Sequence, residues 1–279
     1  KMAKTVLLTG ASSGIGRATA DLLSQNDFKI IATVRKEEDK TSLESLNKNI
    51  KCIFLDVTNS DEIKQALTLV KQETDELYAI INNAGQAYTG IVEYANIEEI
   101  KQQFAINTLA PLEITKTFLP MIKQGKIINI SSVSSNVVYQ FISPYCASKK
   151  ALDIFFQALT LEMDNPNIKI VSIKPGIVKT PIWEKSLDAA YQRMNALPDE
   201  AKEKYQKKLN ILLEKVRKSI KYGKEPEDVA NLVLKILKMK NPKLSYNLGF
   251  GAHIGEILSK FSPDFQCFIL KCGEKYVKK

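Results

Sequence analysis

One tyrosine and one lysine stand four positions apart in a segment with helical character. Tyr145 and Lys149 would share a helix face, because residues i and i+4 are neighbours on the helix surface. A lysine ammonium beside a phenol favours the phenolate, so we expect Lys149 to lower the pKa of Tyr145. A tyrosine tuned in this way can act as a general acid and base near neutral pH.

A serine upstream adds a hydroxyl to this pair. Ser132 follows a predicted strand, at the edge where ligand sites form in α/β sheets. Its hydroxyl could hydrogen-bond a substrate oxygen and hold a carbonyl group against the tyrosine. The neighbouring Ser131 is rejected on its spacing from Tyr145. The three residues together predict proton transfer to or from a substrate oxygen.

A glycine-rich turn follows the first predicted strand and opens the first predicted helix. Glycine permits a tight turn and lets the backbone approach a pyrophosphate, and a helix N-terminus offers unpaired N–H groups. The spacing is GxxxGxG rather than GxGxxG, so a purely structural turn is the alternative. The residues predicted to hold a dinucleotide here are Gly10, Ser12, Ser13, Gly14, Ile15 and Gly16.

The end of the second predicted strand distinguishes NAD from NADP. An acidic residue there would bind the ribose hydroxyls of NAD, whereas a basic residue would hold the additional phosphate of NADP. Arg35 lies at this position with no acid before Glu37, and a guanidinium can bind phosphate through a bidentate fork. The sequence therefore favours NADP(H), with Ser13 as a second contact; the alternative is an ordinary surface charge at Arg35.

Short apolar runs alternate with amphipathic stretches along much of the chain. This alternation predicts βαβ units, and strands that are apolar on both faces are typical of a parallel sheet covered on both sides. We predict an α/β fold: a Rossmann-type doubly wound parallel sheet flanked by helices on both faces, in one domain over 1–279. Ser60 is the predicted N-cap of the third helix. Predicted strands cover 5–9, 30–34, 52–56, 79–82, 126–131, 169–174 and 244–248; predicted helices cover 14–25, 40–46, 61–74, 98–118, 145–163 and 227–240.

Two segments add helices to this pattern. Residues 181–222 contain no predicted strand and are rich in Lys, Leu and Glu, which predicts an inserted helical lid over the substrate. Residues 250–279 form a predicted C-terminal helical extension, broken at Pro263. The side chains expected to face the substrate are Trp183, Leu187, Tyr191 and Met194, with Tyr88, Tyr139 and Phe141 as further walls. A packing role fits Tyr191 and Met194 equally well.

The net charge of +9 is unevenly distributed. Residues 201–279 hold 18 Lys and Arg against 8 Asp and Glu, whereas residues 1–200 hold 22 against 23. A solvated helix surface is the plain explanation, and peripheral contact of the C-terminal extension with an acidic membrane is the sharper hypothesis. Docking of the extension on the sheet or in a homo-oligomer is the alternative. No aromatic-basic recognition motif accompanies the charge, so we expect no nucleic-acid partner.

Cysteine and histidine usage restricts the chemistry further. The four cysteines are scattered and His253 is the only histidine, so we expect neither a disulfide framework nor a metal site. A Ser-His-Asp triad would have to be built around His253. We also expect no spanning helix and no signal peptide, and hence a cytoplasmic location.

Seven motifs together resemble the short-chain dehydrogenase/reductase family in its compact single-domain form. The resemblance covers roughly residues 4–182, with weaker likeness beyond. The order of TGASSGIG, ATVR, NNAG and YCASK together with the long C-terminal extension is similar to the hydroxysteroid and retinol dehydrogenase branch. In chain order the motifs are TGASSGIG at 9–16, Asp56-Val57, Asn82-Asn83-Ala84-Gly85, Asn107, Ser132, Tyr145-x3-Lys149 and Pro175-Gly176-x3-Thr180.

The resemblance implies roles that spacing alone does not. Asn107 would distort its helix and hold a water that links Lys149 to solvent, and Lys149 would also hold the nicotinamide ribose. The other implied cofactor contacts are Asp56 at the adenine amine, Val57 beside the ring, Asn83, Ala84 and Gly85 behind the dinucleotide, Val178 and Thr180 at the carboxamide, and Pro175 and Gly176 in the same motif.

The implied activity is hydride transfer between NADP(H) and a carbonyl or alcohol, with Tyr145 as the acid and base. The aromatic and aliphatic residues of the lid predict an apolar substrate such as a steroid, a retinoid or an acyl compound. Two alternatives remain: a non-catalytic NADP(H)-binding regulatory protein, and epimerisation or dehydration of a nucleotide sugar. The GxxxGxG spacing and the modest length argue against the nucleotide-sugar reaction.

Overall fold

The computed structural model describes residues 3–275, without the side chains of 250 and 272–275, and over this range seven strands form one parallel sheet. The strands are β1 (Lys4–Leu8), β2 (Phe28–Val34), β3 (Ile50–Phe54), β4 (Ala79–Asn82), β5 (Gly125–Ile130), β6 (Ile168–Pro175) and β7 (Ser245–Leu248). Their order across the sheet is β3-β2-β1-β4-β5-β6-β7. The winding direction therefore reverses between β1 and β4, where open α/β sheets bind their ligands.

Helices cover both faces of this sheet. They are α1 (Gly14–Ser24), α2 (Glu37–Glu44), α3 (Ser60–Glu73), α4 (Ile97–Phe104), α5 (Ala110–Phe118), α6 (Ser143–Glu162), α7 (Pro181–Asn195), α8 (Asp199–Lys221), α9 (Pro226–Lys238), α10 (Phe250–Leu258) and α11 (Pro263–Lys275). Helices α1 and α9 pack together over one face, and α3, α5 and α6 cover the other. The predicted doubly wound Rossmann-type sheet is confirmed.

Strand β1 shows why the strands of this sheet are continuous apolar runs in the sequence. Successive side chains point to opposite faces, so Val6 and Leu8 enter one core and Leu7 enters the other. All three are fully buried. Polar residues at either set of positions would be buried without partners, which explains the absence of the alternating pattern typical of half-exposed strands.

Two local predictions need correction. Helix α3 is capped by Asn59, not Ser60, because Ser60 is already the first helical residue and the Asn59 Oδ1 accepts from the backbone N–H of Asp61 at 3.0 Å and of Glu62 at 3.3 Å. The helix predicted over 98–118 is interrupted by a π-helical turn at Ala105–Leu109, between α4 and α5. A π turn inserts one residue without changing the apolar composition, so periodicity alone did not reveal it.

The insertion predicted over 181–222 is helical and has its own core. Leu187 and Met194 of α7 are buried together with Leu209 and Leu213 of α8, and Tyr191 packs against this cluster. Leu187 and Met194 were expected to face the substrate, but their burial between the two helices gives them a packing role instead.

Arg193 attaches α7 to α4 and to the segment that precedes α4. Its guanidinium donates two hydrogen bonds to the Glu99 carboxylate, at 2.8 and 3.1 Å, and one to the Thr89 carbonyl at 3.1 Å. It also lies 4.2 Å from the Tyr88 ring centroid. Tyr88 is only 4% exposed, so it supports α7 rather than forming an open wall of the cleft.

The C-terminal helices leave large apolar side chains in solvent. Helix α10 packs beside the short 3-10 helix Val133–Ser135, and Pro263 separates α10 from α11 as predicted. No helix in the described range is both long and apolar enough to cross a membrane. Residues 276–279 of the predicted extension lie outside the described residues. The exposed apolar side chains of this part are Ile254, Ile257, Phe261, Phe265, Phe268 and Ile269.

The turn between β1 and α1 depends on glycine. Gly10 and Gly14 have φ angles of +65° and +53°, in the left-handed region that side chains disfavour. Gly16 has no room for a side chain, because a Cβ there would lie 2.2 Å from the Gly10 carbonyl oxygen and 2.5 Å from Asn83 Nδ2. The spacing of the glycines is therefore required by the close approach of α1 to the turn.

We expect Gly16→Ala to destabilise the chain by about 1–3 kcal/mol, because the added methyl group meets backbone that must shift. The measurement is urea unfolding followed by circular dichroism. Gly251→Ala is the matched control, since a Cβ at that helical position meets nothing within 4 Å. Equal midpoints for the two variants would contradict the packing argument.

Candidate active site

The glycine turn is fastened to the end of β4. Asn83 Nδ2 donates to the carbonyl oxygens of Thr9 at 3.0 Å and Gly10 at 2.7 Å. The Thr9 hydroxyl accepts from the backbone N–H groups of Asn83 and Ala84. Since a Cβ on Gly10 would lie 2.7 Å from Ala84 Cα, the two segments are in direct contact. The sequence-predicted residues at 10 and at 83–84 are therefore brought together.

The start of α1 is suited to an anion. Ser13 is the N-cap residue, yet its side chain makes no capping hydrogen bond, so the first N–H groups of α1 keep their donor capacity. Ser13 is exposed, and Ser12 and Ile15 are partly exposed. Gly14 touches Thr180, because a Cβ on Gly14 would lie 2.9 Å from its Cγ2. This cradle of N–H donors and glycines fits a dinucleotide pyrophosphate.

Arg35 and Asp56 lie after the adjacent strands β2 and β3. Arg35 is exposed. Hydrogen bonds from the Thr58 backbone and hydroxyl, at 2.9 and 2.7 Å, hold the pKa of Asp56 below its usual value, and the Arg35 charge lowers it further. Val57 beside them is buried. These residues form the outer end of the same edge as the glycine turn.

Helix α6 places Tyr145 and Lys149 one turn apart. Pro144 lies in its first turn, where the missing N–H costs nothing. The Lys149 Nζ is 5.9 Å from the Tyr145 ring centroid and donates to the Ile130 carbonyl at 2.8 Å. Ser132 follows β5 and is buried, and its Oγ accepts from the Ser134 N–H at 3.1 Å.

Burial shifts both titrating groups away from their usual pKa values. Burial raises the pKa of Tyr145 to about 12, although a hydrogen bond with Ser132 opposes the rise. Burial lowers the pKa of Lys149 to about 8, although the Asp153 charge opposes that fall. The net shift of the Tyr145 pKa in this structure is therefore upward, and the lowering by Lys149 stays a prediction. The reason is that desolvation dominates while the ammonium is bonded to Ile130.

Asn107 occupies the π-helical turn and is fully buried. Its Oδ1 accepts from the Gln86 N–H at 2.9 Å, and its Nδ2 donates to the Gln86 carbonyl at 2.8 Å and to the Ser148 hydroxyl at 3.1 Å. A Cβ on Gly85 would lie 3.3 Å from Asn107 Oδ1 and 3.5 Å from Lys149 Nζ. Gly85, Asn107 and Lys149 therefore converge on one point, and the water-holding role of Asn107 remains a prediction.

The segment after β6 completes the edge. The Gly176 N–H, next to buried Pro175, donates to the Leu248 carbonyl at 2.9 Å, and Val178 pairs with Lys224 in a single parallel bridge. Thr180 is the N-cap residue of α7. Its contact with Gly14 joins this segment to the start of α1.

Sequence reasoning missed the ion pair of Asp153 with Lys174 and the contacts of Arg193. Asp153 lies one turn after Lys149 on α6, so the spacing Lys149-x3-Asp153 was a visible signal. Lys174 pairs with Asp153 at 2.9 Å, and Arg193 pairs with Glu99 at 2.8 Å, in both cases across elements remote in sequence. No local pattern indicates these two pairs.

Curated proteins and solved structures similar to this chain are mainly oxidoreductases by name. An uncharacterized oxidoreductase of Bacillus subtilis is 33% identical over 93% of this chain and 94% of its own length. A 3-ketodihydrosphingosine reductase of Bacteroides thetaiotaomicron is 30% identical over 88% and 87%. The crystal structure of a short-chain dehydrogenase from Streptomyces avermitilis superposes with a TM-score of 0.79 at 24% identity, covering 100% and 98% of the two chains.

A family model described as short chain dehydrogenase matches residues 4–192. The matched range contains every predicted site residue from the glycine turn to Thr180. It ends inside α7, so α8 to α11 lie beyond it. On its sequence match and its fold, this chain is an oxidoreductase that belongs to the short-chain dehydrogenase/reductase family.

Proposed function

We propose that the chain is an NADP(H)-dependent oxidoreductase that interconverts a carbonyl and an alcohol. The observation that carries this proposal is the convergence of Gly85, Asn107 and Lys149 beside Tyr145 and Ser132. This cluster lies at the same sheet edge as the glycine turn. A carbonyl held there would have a proton donor, a hydrogen-bond donor and a buried cation around it.

The residues of this chain supply positioning and protons. The dinucleotide, when bound, supplies or accepts the hydride, and its pyrophosphate would be held by the α1 N-terminus and Gly14. Ser132 would donate a hydrogen bond to the substrate oxygen. Tyr145 would give its proton to that oxygen in reduction and take it back in oxidation. A protonated Lys149 released from Ile130 toward the phenol would bring the raised Tyr145 pKa down toward neutral pH.

The preference for NADP(H) rests on Arg35. It is exposed at the end of β2 with Lys36 beside it, and α1 begins close by with the free hydroxyl of Ser13. An exposed guanidinium keeps its donors for a phosphate that NAD does not have.

We expect Tyr145→Phe to lower kcat for NADPH-dependent reduction of apolar aldehydes and ketones by about 10²–10⁴-fold, because the proton donor is lost. NADPH oxidation is followed by absorbance, and NADPH binding is measured separately by fluorescence and should be retained. Tyr222→Phe, at a side chain that is 89% exposed, is the matched control.

Each outcome of this experiment has a distinct meaning. Turnover that survives Tyr145→Phe would exclude the tyrosine as the acid and base. NADPH binding without turnover on any carbonyl of the panel would favour the non-catalytic regulatory protein instead.

Arg35→Ala tests the cofactor preference. Loss of a charge-assisted contact with the additional phosphate should weaken NADPH binding by about ten- to a hundredfold. The KM for NADH should change by less than about threefold, since NADH lacks that phosphate and does not share the lost interaction. Wild-type protein that works better with NADH, or an equal effect on both cofactors, would contradict the role of Arg35.

The proposal of an apolar substrate rests on the aromatic side chains between Ser132 and Tyr145. Tyr139 and Phe141 are partly buried in the segment between Ser132 and Tyr145. A relative named as a 3-ketodihydrosphingosine reductase supports the same class. A panel of steroid, retinoid and acyl carbonyls, compared with small polar carbonyls, separates these substrates by kcat/KM.

We further propose that α10 and α11 contact an acidic membrane surface peripherally. Ile257, Phe261 and Phe268 are about half exposed, Lys260 lies in the turn between the two helices, and Lys271 lies on α11. Apolar side chains flanked by lysines bind anionic interfaces by burial and by charge attraction. Helix α10 also lies beside the segment that follows Ser132, which would bring the membrane near the site.

Flotation with anionic liposomes at low salt tests this surface. We expect the chain to float and Phe268→Asp to reduce the bound fraction severalfold, because a charge replaces buried apolar area. Leu161→Asp, at an 83% exposed side chain of α6, is the matched control and should have no effect. A chain that never floats, or that forms concentration-dependent oligomers sensitive to Phe268→Asp, would instead favour the homo-oligomer contact.

A further inference from the structure

A buried ion pair lies next to the proposed catalytic helix face. Lys174 of β6 and Asp153 of α6 approach to 2.9 Å, with side chains 14% and 12% exposed. Lys174 also donates to Asn136 Oδ1 at 2.9 Å. Removing two charges from water is costly, so such a pair contributes little net stability by itself. The position of this ion pair therefore matters more than its contribution to stability.

The pair is close to Lys149. Asp153 lies one turn after Lys149 on the same face of α6, and the Lys149 ammonium is bonded to Ile130, whose strand partner is Ile173, the residue before Lys174. Within the described residues, neither Asp153 oxygen accepts a hydrogen bond of good geometry, so the carboxylate keeps acceptor capacity beyond its ion pair. A carboxylate with spare acceptor capacity thus lies one helical turn from the residue that carries the buried ammonium.

We propose that Asp153 is a positioning residue for the reaction: its carboxylate, held by Lys174, keeps the ammonium of Lys149 protonated in the buried site. The inference rests on the proposed function, in which Lys149 acts on Tyr145. The Lys174 contact at 2.9 Å fixes the carboxylate in place, so that its field acts on Lys149 from a constant position.

The electrostatic balance around Lys149 supports this role. Burial lowers its pKa to about 8, and Asp153 is the charge that raises it. The titratable groups nearest to it on α6 are Tyr145 and Asp153, and Lys174 of β6 contacts Asp153. The strand β5 and the π-helical turn contribute the neutral Ile130 carbonyl and Asn107. Without the carboxylate, the pKa of Lys149 would fall further, and a smaller fraction of the lysine would carry its charge near neutral pH.

Lysine titration by NMR tests the inference directly. In protein labelled with 13C-lysine, the Lys149 resonance is identified by its loss in Lys149→Arg, and its midpoint near pH 8 separates it from lysines that titrate above pH 10. We expect Asp153→Asn to move this midpoint down by about one pH unit. Asp153→Glu should restore most of the shift, and Glu162→Gln, an exposed acid on the same helix, should leave the midpoint unchanged.

A second variant covers the risk that Asp153→Asn does not fold, since it leaves Lys174 buried without its partner. Asp153→Asn with Lys174→Met removes both charges, and the Lys149 midpoint should still fall, because Asp153 is the charge that acts on Lys149. An unchanged midpoint in either folded variant overturns the inference.

The pH profile of kcat/KM separates this inference from the proposed function. If the Lys149 midpoint moves from pH 8 to pH 7, the kcat/KM of Asp153→Asn should be about fivefold lower at pH 8 and almost unchanged at pH 6. The reason is that the protonated fraction of Lys149 at pH 8 falls from about one half to about one eleventh. A merely structural role would lower the whole profile equally and would overturn the inference. If Asp153→Asn shifts the Lys149 midpoint but the wild-type protein turns over no carbonyl substrate, the proposed function is refuted and the inference about Asp153 stands.

Discussion

The parallel direction of the strands is the constraint on which the site depends. Because every described strand of the sheet runs the same way, all their carboxyl ends meet at one edge. Residues that are remote in the chain therefore lie along this one edge of the sheet. From one side of the sheet to the other they are Asp56 after β3, Arg35 after β2, Gly10 after β1, Asn83 after β4, Ser132 after β5 and Gly176 after β6. Reversing one strand would remove its residue from the site.

Burial then decides the chemistry at this edge. The same low-polarity surroundings that raise the Tyr145 pKa lower the Lys149 pKa, so burial shifts both groups toward their neutral forms. The proposed reaction requires the opposite shift, toward a cationic lysine beside a phenol that releases its proton. The Asp153 carboxylate, held in its ion pair with Lys174, acts in that direction.

The helical insertion and the C-terminal helices lie at the end of the family match and beyond it. Helices α7 and α8 pack on each other through Leu187 and Leu213, and Arg193 joins α7 to α4. The insertion is therefore a unit with its own core rather than a loose loop. Helix α10 lies beside the segment after Ser132, and α10 and α11 both carry exposed apolar side chains.

Local sequence patterns were sufficient for the alternation of strands and helices, the glycine turn and the pair Tyr145 and Lys149, because each depends on neighbours within one or two turns of chain. They were insufficient for the N-cap at Asn59 and the π turn around Asn107, where competing local geometries differ by little free energy. The pair of Asp153 with Lys174 and the anchoring of Arg193 were beyond their reach, because these contacts join remote elements. The pKa values followed tertiary structure for the same reason: desolvation depends on what packs around a group, and the sequence beside Tyr145 does not contain that information.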